Sequence, residues 1–151
     1  VLTTRITVHA EATPIPAVVG WHPWFRRDLG VGEPVQWTLS ASQQLVRGPD
    51  QLPTGDLIEY DPDAGPFDDA FVATGAQVRW PGALRLDITS DGGWFVVFDE
   101  LPVGVCVEPQ SGPPDGLREL AGHAPKVAAP GRPLVLTTRW VISDEPPEGR
   151  G

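Results

Sequence analysis

At 151 residues, with 40% hydrophobic residues and six tryptophans, the chain has the length of one domain and can bury a substantial core. Its 17 glycines and 18 prolines predict frequent turns and favour an all-β domain over a helical one. The net charge of −9 gives nucleic-acid binding no electrostatic support. The single cysteine excludes an internal disulfide framework and a cysteine-only zinc site. No apolar run approaches the roughly 18 residues of a spanning helix and no signal peptide is visible, so we expect a cytoplasmic protein that does not bind membranes.

The first half of the chain predicts strands separated by long connections. Residues 1–9 and 35–40 alternate between apolar and polar side chains, which is typical of half-buried strands. Residues 48–71 are acidic and rich in turn-forming residues, and we expect a long loop there.

The second half predicts a closely connected antiparallel sheet. Pro81-Gly82 and Asp91-Gly92-Gly93 both indicate hairpin turns. Residues 94–98 are apolar on both faces, as in a buried central strand, and residues 134–142 predict a closing strand.

The predicted fold class is all-β, an antiparallel β-sandwich. We expect a single domain over residues 1–143 and a frayed, proline-rich tail over residues 144–151. The sequence has no methionine and opens directly in an apparent strand, so we expect it to be part of a longer protein.

The strand predicted at residues 103–110 carries the most informative pattern. One face is made of valines, at positions 103, 105 and 107, and suits a packed core. The other face carries small residues followed by a carboxylate and an amide: Gly104, Cys106, Glu108 and Gln110. Pro109 restricts the backbone of Glu108 to extended conformations, which suits a catalytic base. The alternative is that Glu108 is the solvated end of a strand, and for Cys106 we favour a packing role.

His22 is the second candidate for chemistry. It is bracketed by Trp21, Trp24 and Phe25, and we expect these aromatic side chains to exclude water from the imidazole. A histidine in such a setting and a carboxylate on a strand face form an acid and base pair if the fold brings them together. The alternative is a structural histidine within an aromatic cluster.

Asp68 and Asp69 stand between two phenylalanines in the predicted loop and suit hydrogen bonds from hydroxyl groups. The alternative is a solvated pair of loop carboxylates. A calcium loop starting at Asp61 fails, because its sixth residue is Pro66 instead of glycine and its twelfth is Val72 instead of glutamate. We therefore predict no metal site.

Four segments together resemble the aldose 1-epimerases, the galactose mutarotase-like proteins. Gly20–Phe25, reading GWHPWF, is similar to the family's G-x-H-P-[YW]-F segment, and Val105–Gln110, reading VCVEPQ, resembles its C-x-E-P-Q strand. Phe67–Phe71 is similar to the family's aspartate-containing loop, and Pro130-Gly131 with the strand ending in Trp140 is similar to its closing segment. The order of the four matches, and they span nearly the whole chain.

The resemblance implies a β-supersandwich and a cofactor-free interconversion of the α and β anomers of an aldose. It implies that Glu108 removes the proton from the anomeric hydroxyl, and that His22 protonates the ring oxygen. It places Asp68, Trp24 and Gln110 at the sugar as substrate-binding residues.

The resemblance covers the C-terminal half of a family whose members are about twice this length. The expected partner is an aldohexose, with dimerisation or association with an N-terminal half as a further expectation. Three alternatives stay open: a non-catalytic carbohydrate-binding β-sandwich, an epimerase of phosphorylated hexoses that uses Arg26 and Arg27, and a half-sandwich that works only with a partner segment.

Overall fold

The protein is an all-β antiparallel structure, as the sequence predicts. The structure is a computed structural model, and it describes residues 1–145. The strands are β1 (Leu2–Val8), β2 (Ile15–Pro16), β3 (Trp24–Arg26), β4 (Gln36–Arg47), β5 (Pro53–Glu59), β6 (Asp68–Trp80), β7 (Leu84–Ser90), β8 (Trp94–Phe98), β9 (Gly104–Gln110), β10 (Val127–Ala128) and β11 (Leu134–Asp144). Within the described range, the chain forms no helix that is long and apolar enough to cross a membrane.

The long strand β6 organises a nine-stranded sheet. Strand β4 pairs along one edge of β6. The other edge is shared, because β7 pairs with residues 75–80 of β6 and β8 pairs with residues 68–72. From this point the sheet continues as two arms, β7-β11-β1 and β8-β9-β3. Strands β2 and β10 form a separate two-stranded sheet.

The hairpin predicted at Asp91–Gly93 is wrong, whereas the one at Pro81-Gly82 is confirmed. Pro81-Gly82 joins β6 to β7, whose register begins with Trp80 opposite Leu84. By contrast, β7 and β8 are both antiparallel to β6, so they run in the same direction and one continues the other. The Asp91–Gly93 segment is therefore a bend, held where the Asp91 carboxylate accepts the Thr137 N–H at 2.8 Å.

The long loop predicted over residues 48–71 is also wrong in part. Pro53–Glu59 forms β5, and β6 already begins at Asp68. The 12-residue strand β4 pairs with β6 along one edge and offers its other edge to β5, where Leu57 lies opposite Leu45. This long-range pairing overrides the acidic, turn-rich composition that the prediction was based on.

The main core lies between the two arms. It takes Val107 from β9 and Trp140 from β11, together with apolar residues of β6, β7 and β8. Val105 and Val107 are fully buried, so the valine face of β9 packs as expected, but Val103 precedes the strand and is 71% exposed.

The closing strand β11 reaches further than the predicted domain boundary at residue 143. Asp144 is its last residue, and the Glu145 carboxylate lies 3.0 Å from Arg79. The rest of the predicted tail, residues 146–151, lies outside the described residues.

Candidate active site

The pairing of β3 with β9 brings His22 to Glu108. The register places Trp24 opposite Cys106, and the same register two residues further back places His22 opposite Glu108. Directly opposed residues on one face of an antiparallel pair have Cβ atoms about 4.5–5.5 Å apart, close enough for side-chain contact. The contact is made, because His22 Nε2 lies 3.1 Å from Glu108 Oε1.

A second set of backbone contacts fixes the segment that carries His22, which precedes β3. An isolated bridge pairs Gly20 with Gln110, and the Trp21 N–H donates to the Pro109 carbonyl at 3.1 Å. The approach is close: a Cβ atom at position 20 would lie 2.7 Å from Cγ of Gln110, so only glycine fits without a shift. The backbone is therefore paired with β9 both before and after His22, although His22 itself lies outside a regular strand.

The expected water-excluding shell around His22 is not formed. Alternation sends Trp21 and Phe25 to the opposite face, where they pack against the core. Only Trp24 shares the face of His22, with its ring stacked at 6.1 Å and 25°. The His22 side chain is consequently 64% exposed, which also contradicts the alternative of a histidine enclosed in an aromatic cluster.

Neighbouring strands extend this face into a cleft. In β8, Val96 lies opposite Glu108 and Phe98 lies opposite Cys106, and in β6 Asp68 lies opposite Phe98. The cleft has a volume of about 420 Å³, and its lining residues are His22, Trp24, Asp68, Val96, Phe98, Glu108, Gln110 and Pro114. All five residues predicted for the site thus line one cleft.

Glu108 is the most buried ionisable group of the cleft. It is 4% exposed, which contradicts the alternative of a solvated strand end. The Gln110 amide donates to its Oε2 at 3.1 Å. Burial raises the pKa of Glu108 above its ordinary value, and the charge of Asp68 adds to the rise, while His22 and the hydrogen bond from Gln110 oppose it. A raised pKa makes the carboxylate a better proton acceptor.

Cys106 is a buried neighbour of His22 and Glu108. Its Sγ lies 3.7 Å from His22 Nδ1, so both ring nitrogens have a neighbour. Burial, and next the charge of Glu108, raise the pKa of the Cys106 thiol to about 12, which keeps it protonated at neutral pH. One ligand atom from each of His22, Cys106 and Glu108 lies within 4.8 Å of the others, so the three residues have the spacing of a metal-binding group.

Arg47 is a residue that the sequence reasoning missed. Its guanidinium lies 2.9 Å from the Asp68 carboxylate and 3.0 Å from that of Asp69. Asp68 is thereby held at the edge of the cleft, as the first residue of β6 instead of part of a loop. The sequence gives no sign of which carboxylates an arginine at the end of β4 will reach, so only the strand register reveals this contact.

Two carboxyl groups line the cleft. Among its lining residues, all within the described part of the chain, the acidic side chains are Asp68 and Glu108, and neither arginine nor lysine takes part. Arg27 is engaged elsewhere, because its guanidinium donates to the carbonyls of Leu101 and Asp99.

The arrangement is suited to proton transfer between two neighbouring oxygen atoms. A carboxylate and an imidazole in contact can each reach one of two oxygens bonded to the same carbon. The stacked indole of Trp24 offers an apolar surface beside them.

Solved structures share this fold. A galactose mutarotase-like protein from Clostridium acetobutylicum superposes with a TM-score of 0.76 at 15% identity, covering 94% of this chain and 52% of that one. A galactose 1-epimerase from Lactobacillus acidophilus gives 0.68 at 14% identity, covering 95% and 53%. An aldose epimerase homologue from C. elegans gives 0.68 at 15% identity, covering 95% and 56%. No protein-family profile and no curated protein matches the sequence.

The chain therefore has the galactose mutarotase-like fold, as the resemblance in its motifs implies. It spans little more than half the length of these three structures. Identities of 14–15% define the fold alone, and the chemistry of this chain has to be argued from its own site.

Proposed function

We propose that the protein is an aldose 1-epimerase-like isomerase, which interconverts the α and β anomers of an aldose by opening and closing the sugar ring. The observation that carries the proposal is the 3.1 Å contact between His22 Nε2 and Glu108 Oε1 in a cleft that also presents Trp24 and Asp68. The fold shared with a galactose 1-epimerase supports the same reaction.

The reaction needs a base and an acid on the two oxygens of the anomeric carbon. Glu108 takes the proton of the anomeric hydroxyl, and His22 gives a proton to the ring oxygen as the bond between that oxygen and the anomeric carbon breaks. The product is the open-chain aldehyde, and rotation about the bond to the next carbon exposes its other face. Ring closure then reverses both proton transfers and regenerates the enzyme.

The remaining cleft residues suit sugar binding. Asp68 is a hydroxyl-binding carboxylate held by Arg47, and Trp24 provides a ring on which the apolar face of a pyranose can pack. Gln110 holds one oxygen of Glu108, which leaves the other oriented toward His22 and the substrate.

The substrate proposed is an uncharged sugar. Glu108 would repel a phosphate group, the lining residues include no arginine or lysine, and Arg47 beside the cleft is already paired with Asp68 and Asp69. The alternative of an epimerase for phosphorylated hexoses is therefore disfavoured. A purely carbohydrate-binding module needs no buried carboxylate in contact with an imidazole, so the geometry favours the isomerase over that alternative as well.

The complete site is proposed to include residues outside this chain. The cleft is open enough to leave His22 64% exposed, and the compared structures are nearly twice as long. Association with an N-terminal half or with a second copy stays a prediction. Light scattering would show a monomer if neither occurs.

Polarimetry on the complete protein tests the reaction, with freshly dissolved α-glucose and α-galactose as substrates. We expect Glu108→Gln and His22→Asn each to lower the catalysed rate by about 10²-fold or more, since each removes one partner of the proton transfer. His9→Asn, at an exposed position directly after β1, is the matched control and should keep the full rate. Rates that stay high in both cleft variants would refute the proposal.

A further inference from the structure

Three potential ligand atoms of different chemistry lie close together, two on the lining of the cleft and one buried beneath it. His22, Cys106 and Glu108 each contribute one, from an imidazole, a thiol and a carboxylate, and all three lie within 4.8 Å of one another. Cys106 and Glu108 are buried in their strand, whereas the His22 side chain is 64% exposed and its ring is stacked on Trp24.

Taken one pair at a time, the contacts within the group have about the length expected between two ligands of a tetrahedral zinc ion. Zinc bonds of about 2.3 Å to sulfur and about 2.0–2.1 Å to nitrogen and oxygen imply sulfur–nitrogen separations of about 3.6 Å and nitrogen–oxygen separations of about 3.3 Å. The observed distances are 3.7 Å from Cys106 Sγ to His22 Nδ1 and 3.1 Å from His22 Nε2 to Glu108 Oε1. These contacts use different ring nitrogens, so a rotation of the imidazole is needed to direct one nitrogen at the ion.

We propose that this group binds a thiophilic divalent cation, Zn²⁺ in the first instance, through Cys106, His22 and Glu108 with a water molecule from the cleft as fourth ligand. The thiolate favours zinc over magnesium and calcium, which prefer sites made of oxygen atoms. Binding forms the metal–sulfur bond and releases the thiol proton to solvent, so no oxidant or reductant is involved.

A bound ion would occupy the carboxylate of Glu108 and a nitrogen of His22 together. If these residues perform the proposed proton transfers, zinc inhibits the reaction, and a chelator restores it. This consequence rests on the proposed function, whereas the binding itself does not.

Cobalt titration of the full chain tests the binding directly. Co²⁺ in a site with a thiolate ligand gives a charge-transfer absorption band in the near ultraviolet, and the sequence contains one cysteine, so the band can arise only from Cys106. We expect the band to saturate at one cobalt per chain, to disappear when Zn²⁺ is added, and to be unaffected by Mg²⁺. A titration without a saturating band would overturn the proposal, and it needs no variant that might fail to fold.

Variants separate this site from incidental binding by surface histidines. Cys106→Ala should abolish the band, and both it and Glu108→Gln should weaken zinc binding, measured by competition with a zinc indicator, by about 10-fold or more. His123→Ala removes an exposed histidine that contacts Trp94, and it should change neither signal. Loss of binding in His123→Ala with retention in Glu108→Gln would refute the assignment. Near-ultraviolet circular dichroism confirms that each variant is folded, and a band in a protein without mutarotase activity would reject the proposed function alone.

Discussion

At the residue scale, the site combines a buried carboxylate with an exposed imidazole. Glu108 is fixed by its strand, by burial and by the amide of Gln110, whereas His22 is anchored by its backbone and keeps an exposed ring. In the proposed reaction, this leaves the acid on the open side of the cleft, where the same ring oxygen has to leave one face of the anomeric carbon and return to the other.

The buried carboxylate of Glu108 should destabilise the protein above acidic pH. Because its pKa is raised in the folded state, the native protein binds this proton more tightly than the unfolded chain does. The stability that results is fully present below the ordinary value of 4.5 and is lost as the pH rises through the raised value. We therefore expect Glu108→Gln to match the wild type in thermal unfolding midpoint near pH 4 and to exceed it near pH 8.

This comparison of unfolding midpoints needs a control substitution at a carboxylate outside the cleft. Glu11→Gln, at an exposed position, is the matched control and should follow the wild type at both pH values. A Glu108→Gln variant that is less stable than the wild type at pH 8 would contradict the prediction. Its contacts with His22 and Gln110 would then outweigh the cost of its burial.

Sequence reasoning predicts five of the residues that line the cleft, but not all of their contacts. The types and order of His22, Asp68 and Glu108 are readable because their motifs are local. The ion pair with Arg47 and the approach of Cys106 to His22 depend on register between strands that are distant in sequence. The predicted aromatic shell is wrong because residues that are adjacent in sequence point to opposite faces of a strand. Alternation therefore separates Trp21 and Phe25 from the imidazole.

At the element scale, the cleft depends on how closely the bend after β7 approaches the end of β9. Gly92 lies in that bend and is buried. A Cβ atom at this position would lie 1.9 Å from the carbonyl oxygen of Gln110, a backbone atom that cannot move without β9. The bend therefore fixes the strand that carries both Gln110 and Glu108.

Gly92→Ala should consequently disturb both stability and the cleft. We expect a loss of about 3 kcal/mol in the free energy of unfolding, at the upper end of typical overpacking costs, together with slower mutarotation. Urea unfolding measures the first effect and polarimetry the second.

Gly93→Asn serves as the control in the same bend. Gly93 has φ of +84° and open space around its Cβ direction, and asparagine tolerates this backbone region. It should cost far less stability than Gly92→Ala. Equal losses in the two variants would show that the bend is merely sensitive to any side chain.

At the scale of the whole molecule, two arms share one strand and one core. The sequence predicts several of the longer strands, because their alternation is a local property, but it misses β5 and the start of β6. It did not predict that β7 and β8 continue one another along β6, since a glycine-rich turn is compatible with both a hairpin and a bend. The continuation is decided by long-range pairing and by the core that closes between the arms.

Because the core is shared, a change within it should weaken the entire described structure. Phe71 is fully buried in β6, edge-on to Phe67 at 5.4 Å and to Tyr60 at 5.2 Å. We expect Phe71→Ala to lower the free energy of unfolding by about 3–5 kcal/mol, a large part of the total for a domain of this size. Urea unfolding followed by both tryptophan fluorescence and far-ultraviolet circular dichroism should give one coincident transition.

Leu101→Ala, at a residue that is 42% exposed, is the control and should change the stability by about 0.5 kcal/mol or less. Two separate transitions in Phe71→Ala would mean that the arms unfold independently, contrary to the shared core.

The pairing register of β3 with β9 also limits where residues can be inserted into the chain or deleted from it. An insertion or deletion of one residue between His22 and Trp24, or between Cys106 and Gln110, would turn every following side chain of that strand to the opposite face. In β9 such a slip would put a valine into the cleft and the carboxylate of Glu108 into the core. The segment between Leu117 and Val127 carries no strand and contributes no lining residue to the cleft, so changes in length are better tolerated there. Relatives that share the proposed reaction are therefore expected to keep both short spacings and to differ in length elsewhere.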